Sequence, residues 1–152
     1  MTMPDQASTD QASTDQPETP ETPGPSAVSA ATPQPVLSPL TSAAIFLVVS
    51  IVPGGESTVR DLMEDLSALQ RSVGFRIPEG RLACVTAIGS DAWDRLFGGP
   101  KPAELHPFAA LTGARHRAVA TPGDLLFHVR ANRMDLCFEF ITQVMNRLAG
   151  AV

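Results

Sequence analysis

Residues Ala120 to Phe140 read ATPGDLLFHVRANRMDLCFEF, and the hydrophobic period changes part-way along them. Pro122-Gly123 ends a loop. Leu125 to Val129 is a compact apolar run of strand type. Leu136, Cys137, Phe140, Ile141, Val144 and Leu148 then recur at helical spacing, which predicts a helix with one face on a core. Asn132, with Asp135 three residues on, is placed to cap that helix.

Working back towards the N-terminus, Gly98 to Thr121 is a long connection punctuated by Pro100, Pro102, Pro107 and Gly113. Connections of that length without a clear element are often functional. Before it, Leu82 to Ile88 (LACVTAI) reads as a strand and Ala92 to Phe97 as a short helix, with Ser90 as its N-cap and Trp93, Leu96 and Phe97 packing back on the sheet. Val59, Leu62, Met63, Leu66, Leu69 and Val73 predict a long amphipathic helix. Ser57 or Thr58 is expected to cap it, and Gly74 to stand just past its end. Ala43 to Val52 (AAIFLVVSIV) is a strand apolar on both faces, expected inside a sheet.

The order β-α-β-(loop)-β-α gives five of the six elements of the split βαβ, ferredoxin-like α+β fold. The last strand, which pairs beside the first, is missing. Residues 41–152 therefore read as a ferredoxin-like half-domain whose first strand is a bare sheet edge. Residues 1–40 read as a separate low-complexity tail. QASTD occurs twice, at 6–10 and 11–15, and eight of the fourteen prolines lie in this segment. It cannot bury enough surface to offset its ordering entropy and is expected to be disordered, or to serve as a recognition tail.

The net charge of −5 belongs to the tail, which holds five acids and no Lys or Arg; the body has eleven of each sign. No clustered basic face points to nucleic acid. The longest apolar run, Ala43 to Val49, is too short to span a bilayer, and the N-terminus has no secretory pattern, so a cytoplasmic protein is expected. Cys84 and Cys137 lie in apolar runs on different elements and read as buried reduced thiols rather than a disulfide.

The chemistry-bearing residues each have a plain structural reading. His128 lies mid-strand and reads as a packed or edge histidine; His106 and His116 read as loop residues. No pair has the i, i+4 spacing of a helical metal site. Asp91 and Asp94 flank Trp93, which fits helix N-terminal charge plus an anchoring indole better than acid–base or radical work. Arg115 and Arg117 beside His116 fit a solvated loop better than an anion site. No catalytic, cofactor-binding or metal-ligating residue is assigned.

The segments TSAAIFLVVSI, GFRIPEGRLACVTAIGSDAWDRLFGGPKPAELHPF and LTGARHRAVATPGDLLFHVRANRMDLCFEF carry a resemblance. Across Val36 to Leu148 the chain resembles the N-terminal half of the bacterial dye-decolourising (DyP-type) haem peroxidases. That resemblance implies a dimeric α+β barrel type of ferredoxin-like fold, built from two halves in one chain. It implies haem b seated mainly against the second half, and oxidation of organic donors such as dyes with hydrogen peroxide. The family's catalytic Asp sits in a Gly-x-x-Asp-Gly motif, with the distal Arg and the iron-binding His further on. No Asp-Gly pair occurs in this sequence, so none of these roles is carried over to any position here. The resemblance implies as partners the missing C-terminal half or, through the exposed sheet edge, a second copy; cytoplasmic oligomers and encapsulin cargo occur in the family. The expectation is a fragment, truncated product or split part of a peroxidase, inactive alone. Alternatives are a stand-alone ferredoxin-like dimerisation or ligand-binding module and a decayed product.

Overall fold

A computed structural model describes residues 33–152; the expectation of disorder over residues 1–32 lies outside them. The elements are β1 (Ala43–Val49), α1 (Glu56–Gly74), β2 (Ala83–Ile88), α2 (Ser90–Leu96), β3 (Leu111–Thr112), β4 (Arg117–Ala118), β5 (Leu125–Ala131) and α3 (Met134–Arg147), with a 3-10 turn at Pro78–Gly80. The long connection holds β3 and β4, an exposed two-residue hairpin that sequence periodicity could not have flagged.

β1, β5 and β2 form an antiparallel sheet in the order β1-β5-β2. Strand period two sorts its side chains into two faces. Ile45, Val129 and Cys84 share one row, Leu47, Phe127 and Thr86 the next, and Val49, Leu125 and Ile88 the third. These rows lie on the helix side. α3 packs on β1 and β5, and α1 packs on α3. Phe127, Val129, Phe140, Val144 and Leu148 are fully buried there, with Val59 and Leu62 of α1 and Leu96 of α2 in the same core. Burying a large apolar side chain contributes about 1.5–3 kcal/mol, so this single layer of contacts is the main source of stability.

The opposite face carries Ala44, Phe46 and Val48 of β1, Leu126, His128 and Arg130 of β5, and Ala83, Val85 and Ala87 of β2. Among the described residues no helix covers it: Phe46 is 66% and Val48 57% exposed. β1 was expected inside a sheet because both its faces are apolar. In this half it is the bare edge strand that the incomplete ferredoxin-like order predicts, with one face buried, and it ends at Val49 rather than Val52.

The expected caps do not form. α1 starts at Glu56 after Gly55, with no side-chain cap from Ser57 or Thr58, and Gly74 is its last helical residue rather than a left-handed terminator. Ser90 starts α2 after Gly89, and its hydroxyl donates to the Leu105 carbonyl across the chain. Asn132 does not cap α3. Its amide donates to the Glu79 carbonyl and its N–H to the Gly80 carbonyl, fastening the end of β5 to the 3-10 turn. In each case the side chain expected to cap found a partner elsewhere or none, and local pattern cannot register that competition.

The body begins earlier than residue 41. Gln34 is hydrogen-bonded to β2, and Pro35 and Val36 accept from Arg130 of β5. At the other end, the Val52 N–H donates to the Ala151 carbonyl at 3.0 Å, so residues 150–152 lie beside the exit of β1. Gly55 makes this approach possible: a Cβ there would meet the Ala151 oxygen at 2.5 Å. No helix among the described residues is long and apolar enough to cross a membrane.

Cys84 and Cys137 are free and buried. Desolvation pushes the Cys84 thiol up to about 11, against a weaker opposing hydrogen bond from Thr86; burial also pushes Cys137 up. Neither is a thiolate near pH 8, so both are expected to resist alkylation in the native chain and to react together once denatured. Fast native labelling of either would contradict this packing. Gly55→Ala is expected to destabilise the chain by about 1–3 kcal/mol, read by denaturant midpoint, because backbone must move to admit the methyl.

Candidate functional site

Two surfaces gather the residues that carry chemistry. The first is the uncovered sheet face. Phe46 and His128 are direct cross-strand partners, and their rings stack at 4.2 Å with 12° between planes. Such a pair stabilises the β1-β5 register by about 0.2–1 kcal/mol. Two positions along β5, Arg130 stands between Ala44 and Ala83, whose methyl groups leave room for the guanidinium. Arg130 is only 7% exposed. One of its terminal nitrogens donates to the Pro35 and Val36 carbonyls, while its Nε is buried without a partner. Among the described residues no carboxylate reaches it. Backbone carbonyls thus solvate this cation, and one donor stays unsatisfied, a costly state for a buried polar atom.

The second surface is an open cleft of about 480 Å³ between the start of α2 and two loops, lined by Gly89–Asp91, Leu105–Phe108 and Ala120–Asp124. It brings the Asp91 carboxylate and the His106 ring to one place, with Phe108 as an exposed apolar wall. His106 Nδ1 lies 3.1 Å from the Pro107 carbonyl. Lys101 spans the neighbouring turn, pairing with Asp94 at 2.6 Å and reaching the Ser90 hydroxyl at 3.4 Å. Trp93 and Phe97 meet at 4.8 Å in a tilted pair, and the Trp93 Nε1 is buried without a partner.

Behind the cleft, Arg95 ties four segments together. Its Nε and Nη2 donate to Glu56 Oε1 at 3.0 and 2.7 Å, its Nη1 to Asp124 Oδ2 at 3.3 Å, and its Nη2 to the Ile51 carbonyl at 3.0 Å. Asp124 also accepts from the Ile51 N–H at 2.7 Å. The Arg95 hydrogen bond, foremost, holds the Glu56 carboxyl below its ordinary 4.5. This network fixes α2 and the cleft against α1 and the β1 exit. It is structural, and sequence reasoning did not single out Arg95, Glu56 or Asp124.

The expected site residues are therefore dispersed. His128 is on the sheet, His106 in the cleft, and His116 at the exposed hairpin, where its carbonyl accepts from Gly113. Arg115 and Arg117 are exposed, as a solvated loop requires. Among the described residues, no group of three His, Cys, Asp or Glu side chains is placed to hold a metal.

The stabilisation of Glu56 has a defined pH dependence. A folded-state value held down means the contribution is present above about 4.5 and is lost as pH falls through the folded value. Arg95→Met should therefore lower the thermal midpoint near neutral pH, with the gap from the unmodified chain narrowing as pH falls below 4.5. A gap that stays constant down to pH 3 would show the network has no such role.

Residues 33–152 match the family described as Dyp-type peroxidase, N-terminal. The chain is 69% identical over 121 residues to a dye-decolorizing peroxidase of Rhodococcus erythropolis, which covers 80% of this chain and 36% of that protein. Among solved structures, the encapsulated DyP-type peroxidase of Mycobacterium smegmatis is 60% identical with a TM-score of 0.76, over 78% of this chain and 38% of that one. A variant of DypB from Rhodococcus jostii RHA1, solved in complex with heme, is 42% identical with a TM-score of 0.74, over 79% of this chain and 39% of that one. The chain thus spans little more than a third of these relatives.

Proposed function

The chain belongs to the DyP-type peroxidase family, as its N-terminal domain, and from that premise we propose that it works as the first structural half of a haem peroxidase oxidising organic donors with hydrogen peroxide. Bound haem would supply the redox chemistry. The observation that carries this reading is the sheet itself: it is ferredoxin-like, bare along β1 and uncovered on one face, in a chain that spans about a third of its relatives. Residues that follow in those relatives have a natural path. The Val52–Ala151 hydrogen bond sets the chain beside the exit of β1, from where a strand can run back antiparallel to β1.

The described residues do not fit haem by themselves. An axial histidine needs its second ring nitrogen oriented by an acceptor, most often a carboxylate or carbonyl. His128 is stacked on Phe46 and His116 is exposed, neither with an acceptor at a ring nitrogen among the described residues; His106, whose Nδ1 does meet the Pro107 carbonyl, is exposed beside an open cleft rather than set in a closed pocket. We therefore assign this half to packing and assembly, and leave iron ligation and peroxide activation to the rest of the polypeptide. Until that portion is present, the β1 edge is open to a second copy of the chain. One relative is an encapsulated DyP-type peroxidase, and we propose the same association for the assembled protein.

The test is a haem titration followed by dye oxidation, on this chain alone and mixed with the C-terminal portion of the Rhodococcus erythropolis relative. Stoichiometric binding and turnover are expected from the mixture and neither from the chain alone. A sharp Soret band and turnover from this chain alone, both abolished by His128→Ala, would overturn the assignment.

A further inference from the structure

A three-stranded sheet has two edges, and here they are treated differently. β1 is one edge and β2 the other. An edge strand presents unpaired N–H and C=O groups to any extended polypeptide that approaches. Along β2 and the residue before it, four of those groups are already occupied, and by side chains rather than by a strand. Gln34 Oε1 accepts from the Thr86 N–H at 2.7 Å, and Gln34 Nε2 donates to the Thr86 carbonyl at 3.1 Å. Gln70 of α1 does the same one step back: its Oε1 accepts from the Cys84 N–H at 3.1 Å, and its Nε2 donates to the Leu82 carbonyl at 3.2 Å.

A primary amide suits this task because its C=O acceptor and an N–H donor match the pair that a peptide group offers, with one donor to spare. Each glutamine thus copies the two hydrogen bonds that a neighbouring strand would make. Both are anchored from outside the sheet. Gln70 is fixed by α1, which packs on α3. Gln34 is fixed by the Arg130 guanidinium, which donates to the carbonyls of the next two residues, Pro35 and Val36. Along β1, by contrast, no group outside β5 hydrogen-bonds to Ile45–Val48 among the described residues.

We propose that Gln34 and Gln70 shut the β2 edge against strand addition, so that an added strand joins this sheet at β1 and at no other place. The device gives the sheet a direction of growth. It rests on these four hydrogen bonds and holds whatever the rest of the polypeptide does. It also gives Arg130 a positioning role, as the clamp that keeps Gln34 in place.

Amide exchange on the 152-residue chain, resolved to single residues, tests it together with light scattering. In the unmodified chain the Cys84 and Thr86 amides should be protected. Gln34→Ala should speed exchange at Thr86 by about five- to tenfold and leave Cys84 unchanged, the size expected for one hydrogen bond. Gln70→Ala should do the reverse; α1 tolerates it, since alanine is a good helix former. Gln70→Glu, which keeps the acceptor and loses the donor, should retain most of the Cys84 protection. Arg130→Met should speed Thr86 as Gln34→Ala does. The double Gln variant should self-associate with new protection over residues 82–88, whereas any association of the unmodified chain should protect residues 44–48. Unchanged exchange at both amides in the single variants, or association of the unmodified chain through residues 82–88, would overturn the proposal.

Discussion

Burial of the Leu125, Phe127, Val129 and Ala131 side of β5 is the constraint on which the rest of the structure depends. Leu125, Phe127, Val129 and Ala131 point one way and are lost to solvent, and period two then sends Leu126, His128 and Arg130 the other way. The buried side demands a lid, which α3 supplies through Leu136, Cys137, Phe140, Val144 and Leu148, with α1 behind it. The cross-strand rows carry the same sorting into β1 and β2. A slip of one residue would exchange the faces and expose the core.

The open side inherits whatever is left, and what is left is not a solvent face. It has Phe46 stacked on His128, the aliphatic side chains of Val48, Val85 and Leu126, and a guanidinium sunk between two alanines. Contiguous apolar surface of that kind marks an interaction site in soluble proteins. Membership of a family whose relatives run to more than twice this length accounts for it: the face and the β1 edge are where the further residues of such relatives are expected to pack. The closed β2 edge completes the logic, because a sheet that must grow at one side gains from being unable to grow at the other.

Much of this could be read from the sequence, and the parts that could not share a cause. Hydrophobic spacing found all three strands of the sheet and all three helices, since each buries a face whose period is written in consecutive residues. The last-strand gap followed from element order alone. What escaped were interactions between residues far apart in the chain. Gln34 reaches Thr86 across 52 positions, Asn132 reaches Glu79 instead of capping α3, and Arg95 gathers Glu56 and Asp124 from two other elements. The proline-rich composition around residue 34 suggested a tail, although its backbone carbonyls and one amide side chain hold it to the sheet. Likewise His128 read as a packed histidine, and its stacking on Phe46 needed the register that only pairing supplies.

This domain is built to receive a strand at β1. Amide exchange across Ala43–Val49 tests it directly, measured before and after adding the C-terminal portion of a close relative. The amides of β1 facing away from β5 should become strongly protected on mixing, while residues 82–88 keep the protection they already had. Protection gained at 82–88 with none at β1, or no change at either edge, would contradict it.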